Sequence, residues 1–153
     1  ADYMASNVCL KSFFEDEDNE AIIKTLKVPP AVVKSCNDVY GHPHDSALCQ
    51  RSIMAGANFA EHNRLYKISS FTRPRTTPEF REISAPLSFT VPSPRVVQEL
   101  NRSYSTPQCR LDTAIAGAPC NRGLEFSLSK WNMPESVNCE SVGRRPRCWF
   151  KKL

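Results

Sequence analysis

The sequence predicts an α+β protein that is mainly helical: a small N-terminal helical unit of three to four helices, then an irregular, Pro-rich, weakly β part tied by disulfides. Three observations predict this. Residues 3–68 repeat their apolar positions at helical spacing, between caps and breakers. Nine of the twelve prolines lie from Pro74 onward, where that periodicity fades. Four of the seven cysteines lie between 109 and 148, where a weak core most needs covalent ties.

Taken in order, residues 3–27 carry Tyr3, Met4, Val8, Leu10, Phe13 and Phe14, then Ala21, Ile22, Ile23 and Leu26. Between the two groups stands the acidic run Glu15-Asp16-Glu17-Asp18. Carboxylates favour the positive end of a helix dipole, so the run predicts a turn and a new helix start near Asp18 or Asn19. A calcium loop would need a central glycine, which the run lacks. Pro29-Pro30 stops this helix and opens another over about residues 30–40, with Val32, Val33, Cys36, Val39 and Tyr40 facing inward. Gly41 is its expected C-cap.

The longest periodic stretch is 45–68. Asp45 or Ser46 caps it. Leu48, Ser52, Ala55, Phe59, His62 and Tyr66 form one row, and Cys49, Ile53, Gly56 and Ala60 lie beside it. The small residues Ala55, Gly56, Ala57 and Ala60 predict the close approach of another helix. Residues 1–68 are therefore read as a helical subdomain and 69–80 as a linker or exposed loop. Residues 81–153 are read as a Pro/Cys-rich irregular subdomain packed on, or extending from, the first. Within it, Ile83–Val91 is expected to be extended, and Ser93-Pro94 to open a short helix through Tyr104. Beyond Pro107 the chain reads as loop-rich, with one strand through Leu124, Phe126 and Leu128.

A chain of 153 residues is long enough to bury about two-thirds of its surface, and 41% hydrophobic against 24% charged residues is ordinary for a globular fold. No run approaches the roughly 18 apolar residues of a membrane-spanning helix. Cys9, Cys36, Cys49, Cys109, Cys120, Cys139 and Cys148 include no C-x-x-C pair, so their wide spacing predicts disulfides in an oxidising compartment rather than a zinc cluster. Seven is odd, which leaves one thiol either buried and free or joined to a partner chain. The chain opens Ala1-Asp2-Tyr3, as removal of a signal peptide would leave it. Residues 1–62 hold nine acidic against five basic side chains, whereas residues 63–153 hold seven against fifteen.

Chemistry has few footholds. His42, His44 and Asp45 are the candidate metal ligands, with Cys49 as a fourth donor. His62 stands about 25 Å along the helix from them, too far to share their ion. His42 or His44 beside Ser46 or Cys49 would make a nucleophile–base pair, the basis for an alternative reading as a small secreted hydrolase. Arg144, Arg145, Arg147, Trp149, Lys151 and Lys152 form a basic, aromatic tail suited to an anionic surface, a glycan or an acidic protein. Its charge is local and the first part of the chain is acidic, which argues against nucleic acid. Asn101 begins the one N-x-S sequon, a glycosylation candidate. No cofactor motif is present and none is expected. The preferred reading is a non-catalytic, disulfide-stabilised binding or structural subunit, secreted to an extracellular or periplasmic space, that works through protein partners or same-chain assembly.

Overall fold

A computed structural model describes residues 2–97, 105–120, 139, 143–144 and 146–148, which form six helical runs with no strand among them. Helix α1 is composite: Asp2–Met4 and Leu10–Phe14 are α-helical and flank a π stretch, Ala5–Cys9. There follow α2 (Asn19–Thr25), α3 (Pro30–Asn37), α4 (Pro43–Ser69), α5 (Pro78–Ser84) and α6 (Pro107–Gly117).

Four of these helices start on proline, whose fixed φ and missing N–H suit the first helical position. The N-caps are varied. The Asp18 carboxylate accepts the Ala21 N–H at 3.0 Å and starts α2 after the acidic run. Thr77 and Thr106 accept the N–H of Phe80 and Cys109 ahead of Pro78 and Pro107. The cap of α4 is His42, not Asp45 or Ser46. Its Nδ1 accepts the His44 N–H at 3.3 Å. Gly41 does not close α3, whose C-cap is Asp38; the one described glycine with a positive φ is Gly143.

Two expectations about the second half are corrected. The stretch after Pro107 is not loop-rich: α6 is a helix of eleven residues, most of them buried. Nor is Ile83–Val91 extended throughout, because α5 runs to Ser84. Residues 85–97 then follow an irregular path, and 94–97 are not helical. Their backbone is held by side chains of α6 rather than by a ladder. The Gln108 amide accepts the Ser88 N–H and donates to the Ser88 carbonyl, both at 2.8 Å, and Asp112 accepts the Ser93 N–H at 2.7 Å. The strand expected at Leu124–Leu128 lies outside the described residues.

Helix α4 is the axis. It packs against every other helix, most extensively α6. One core cluster joins Val32, Cys36 and Tyr40 to Cys49, Ile53 and Ala118; a second joins Ala57 and Ala60 to Leu111. A Cβ on Gly56 would overlap the Cβ of Ala114, so the small-residue waist is where α6 crosses α4. Gly117 does the same for α1, whose Ser6 and Tyr3 would meet its Cβ.

Three disulfides tie the helices. Cys36–Cys49 joins α3 to α4; Cys109–Cys148 and Cys120–Cys139 join α6 and the residues just past it to later chain. Polar contacts finish the corners. Arg51 of α4 pairs with Glu17 at 2.9 Å, donates to Asn19 at 2.9 Å and lies 3.8 Å from the Phe14 ring centre. Arg64 holds Glu61 through two hydrogen bonds and donates to the Ser84 carbonyl at the end of α5.

Candidate functional site

The histidine corner forms where α3 ends and α4 begins. A cavity of about 450 Å³ opens there between α2 and α4, lined by Glu20, Lys24, Asn37, Tyr40, His42 and Ser46 among others. His42 is exposed, and its Nδ1 is occupied as the α4 cap. The Ser46 hydroxyl donates to the Asn37 side-chain oxygen and accepts from the Gln50 amide, so its proton points to a carboxamide rather than to an imidazole. Cys49 is bonded to Cys36 and has no thiol to offer as nucleophile or ligand. Among the described residues no three His, Cys, Asp or Glu side chains converge as a metal set. The corner brings His42 and Ser46 to one cavity without a nucleophile–base hydrogen bond between them.

The basic tail is described only in part. Arg144 and Arg147 are exposed; Arg145, Trp149, Lys151 and Lys152 lie outside the described residues, as does Asn101. Cys148 itself is buried by its bond to Cys109.

A second polar centre gave no sign in the sequence. Lys11 is 2% exposed, among the most buried side chains of α1. Its ammonium donates to the Tyr40 hydroxyl at 2.9 Å and to the Cys120 carbonyl at 2.8 Å, and the Tyr40 hydroxyl donates to the Ala118 carbonyl at 3.0 Å. The arrangement joins α1, the end of α3 and the end of α6. Burial pulls the Lys11 pKa down to about 7, opposed by the Asp45 charge. Burial and the Asp45 charge push the Tyr40 phenol well above its ordinary value. Lys11 falls one turn after the buried Asn7 and Val8, on the face that α1 turns inward.

An apolar concavity also lies along α1. A groove of about 340 Å³ runs between Ala5, Ser6 and Leu10 of α1, Ala55, Gly56 and Phe59 of α4, and Arg110 and Ala114 of α6. Its size falls within the usual range for ligand-sized sites. Three features build it. Ala5, Ala55 and Ala114 are too small to fill the space between three helices, and Gly56 lets Ala114 sit directly against α4. The π stretch shifts the side chains of α1 relative to an unbroken α-helix, and such stretches are frequent at functional sites. Arg110 supplies the one charge in the lining, its guanidinium 5.3 Å from the Phe59 ring centre. Phe59 is 53% exposed at the lip, and Phe13 stands out at 75% one turn beyond Leu10. The row containing Ala55 and Phe59 was read from the sequence as core; only its first half is.

Cys9, the last residue of the π stretch, is exposed and is the one free thiol among the described cysteines. The leftover thiol is thus Cys9 and none of the six later cysteines, and it is exposed rather than buried. Among the described residues no helix is long and apolar enough to cross a membrane. Comparison with known proteins finds no family model, no curated protein and no solved structure that matches the chain.

Proposed function

We propose that the protein is a non-catalytic binding or structural subunit of an exported assembly, and that the groove between α1, α4 and α6 is its working surface. The observation that carries this reading is the groove itself: an apolar concavity with the exposed Phe59 at its lip, in a chain cross-linked at three places. Large apolar side chains left in water beside a concavity mark contact sites. The cross-links support an oxidising compartment, extracellular or periplasmic, because intracellular thiols are kept reduced.

Two measurements test it. Thiols are alkylated as the protein is released from its own cell, and the cysteines are mapped by mass spectrometry. The expected result is 36–49, 109–148 and 120–139 protected as pairs; seven alkylated cysteines would remove the compartment. An environment-sensitive apolar dye is then titrated against the wild type and Phe59→Asp. Binding that is weak in both would remove the groove as a working surface.

A further inference from the structure

We propose that the cavity between α2 and the α3–α4 corner is a subsite for one neutral sugar unit, held by the carboxamides of Asn37 and Gln50. The inference stands apart from the apolar groove and adds a polar ligand to the binding role.

The carrying observation is a hydrogen-bond chain with two open ends. Gln50 is 6% exposed and Ser46 is 5% exposed, and both line the cavity. The Gln50 amide donates to the Ser46 hydroxyl at 3.1 Å, and that hydroxyl donates to the Asn37 side-chain oxygen. The chain sets which way both carboxamides are turned. It consumes the nitrogen of Gln50 and the oxygen of Asn37, which leaves the Gln50 carbonyl oxygen and the Asn37 amide. Among the described residues no group donates to that oxygen or accepts from that nitrogen. An open acceptor on so deeply buried a side chain costs free energy that a bound donor recovers.

The rest of the lining selects the ligand. Glu20 and Lys24 stand one turn apart on α2 and both line the cavity. Neither is among the ion pairs of the described residues. Their charges cancel, which favours a neutral guest over an anion or a cation. His42 adds a donor: its Nδ1 accepts the His44 N–H, so in the neutral ring Nε2 carries the hydrogen. Ile23 and Pro43 supply apolar wall.

A sugar ring meets all of these demands. Each hydroxyl donates and accepts at once, so neighbouring hydroxyls serve the Gln50 acceptor and the Asn37 donor together. The C–H face of the ring packs on Ile23 and Pro43. About 450 Å³ is roomy for one ring. Asn37, Gly41 and His42 at the rim are exposed, so the end of a longer glycan enters as readily as a free sugar. The site binds without cleaving, since the Ser46 proton is committed to Asn37.

The test is saturation-transfer NMR on the full, oxidised chain. The probes are glucose, galactose, mannose and N-acetylglucosamine, free and as methyl glycosides, each at about 10 mM to report millimolar binding. The variants are Gly41→Phe, Gln50→Met and Phe59→Asp, with a far-UV spectrum to confirm that each folds. A Cβ on Gly41 meets nothing within 4 Å, so a ring there obstructs the cavity without crowding the core. Gln50→Met removes the open acceptor and keeps the length of the side chain. The expected result is transfer to at least one sugar in wild type and Phe59→Asp, with affinity lower by about tenfold in Gly41→Phe and Gln50→Met. A methyl glycoside that binds as well as its free sugar identifies a glycan end, whereas loss on methylation identifies the free sugar. No transfer to any of the probes in wild type overturns the subsite, as does a signal undiminished in Gly41→Phe or Gln50→Met. Transfer to glutamine but not to the sugars overturns the sugar. Loss in Phe59→Asp alone moves the sugar to the apolar groove and overturns this site.

Discussion

The two halves of α4 belong to one helix and live in different surroundings. From Ser46 to Ile53 nearly every residue is buried, polar ones included: Ser46, Gln50 and Ser52 join Leu48, Cys49 and Ile53. From Phe59 onward the pattern inverts, and Phe59, Leu65 and Tyr66 are more than half exposed. Both halves mix polar and apolar side chains. What separates them is the number of neighbours. The first half is enclosed by α2, α3, the Cys36 bond and the Lys11 junction, whereas the second is flanked mainly by α5 and α6. A helix side chain is buried when other elements are present to cover it, and its own polarity decides only what it costs.

The contrast can be broken from its strong side first. Ile53 is fully buried where α3 and α4 meet, so Ile53→Ala should destabilise the protein by about 2–5 kcal/mol in urea unfolding. Replacing Cys36 and Cys49 together by alanine opens a short loop and should cost about 3 kcal/mol, read as a lower midpoint under oxidising conditions that reductant no longer affects at this bond. At the waist between the halves, Gly56→Val forces α6 off α4 and should cost about 1–3 kcal/mol. In the exposed half, Tyr66→Ser should fall within about 0.5 kcal/mol of wild type. Equal losses at Ile53 and Tyr66 would dissolve the comparison.

The Lys11 junction sharpens it through pH. The folded Lys11 holds its proton less tightly, to about pH 7, than the ordinary lysine value of 10.5 in the unfolded chain. Between those limits the unfolded chain binds more protons, so folding stability should rise with pH, by at most about 1.4 kcal/mol per pH unit. Tyr40 acts in the opposite sense higher up. Its folded phenol is raised, so its contribution is whole below the unfolded tyrosine value of 10.0 and is lost as pH climbs beyond it. Chemical unfolding at a series of pH values should show the rise from about 7 in wild type. Lys11→Met should flatten it; an unchanged slope in that variant would place the titration elsewhere.

Much of the helical plan was legible. The acidic run, Pro29-Pro30 and the paired rows after Asp45 are local signals, and α2, α3 and α4 follow them within a few residues. Helix α6 was not legible, for a physical reason: Cys109, Arg110, Leu111, Asp112 and Thr113 are buried in succession, so no polar face remains to set a period. Its start signal was present. Thr106-Pro107, like Thr77-Pro78, is a hydroxyl cap followed by a residue suited to the first turn, and in a proline-rich stretch it reads equally as a loop. The groove was half legible, since the small residues of α4 announced a close approach but not which space they would leave unfilled. Lys11 as a buried cation and Cys9 as the unpaired thiol depend on what packs around α1, which no spacing within it reveals.

The pairing of the cysteines has a further consequence for how the chain is made. Cys36–Cys49 closes wholly before Cys109 appears in the sequence, and Cys120–Cys139 lies inside the span of Cys109–Cys148. No two loops interlace. As the chain emerges from its N-terminus, the first bridge can close while only Cys9 competes for its partners. The other two can form one within the other, without either being undone to make room. Native pairing therefore needs no reshuffling step, and the side of α4 that α6 will cover waits in water until residue 117 has followed.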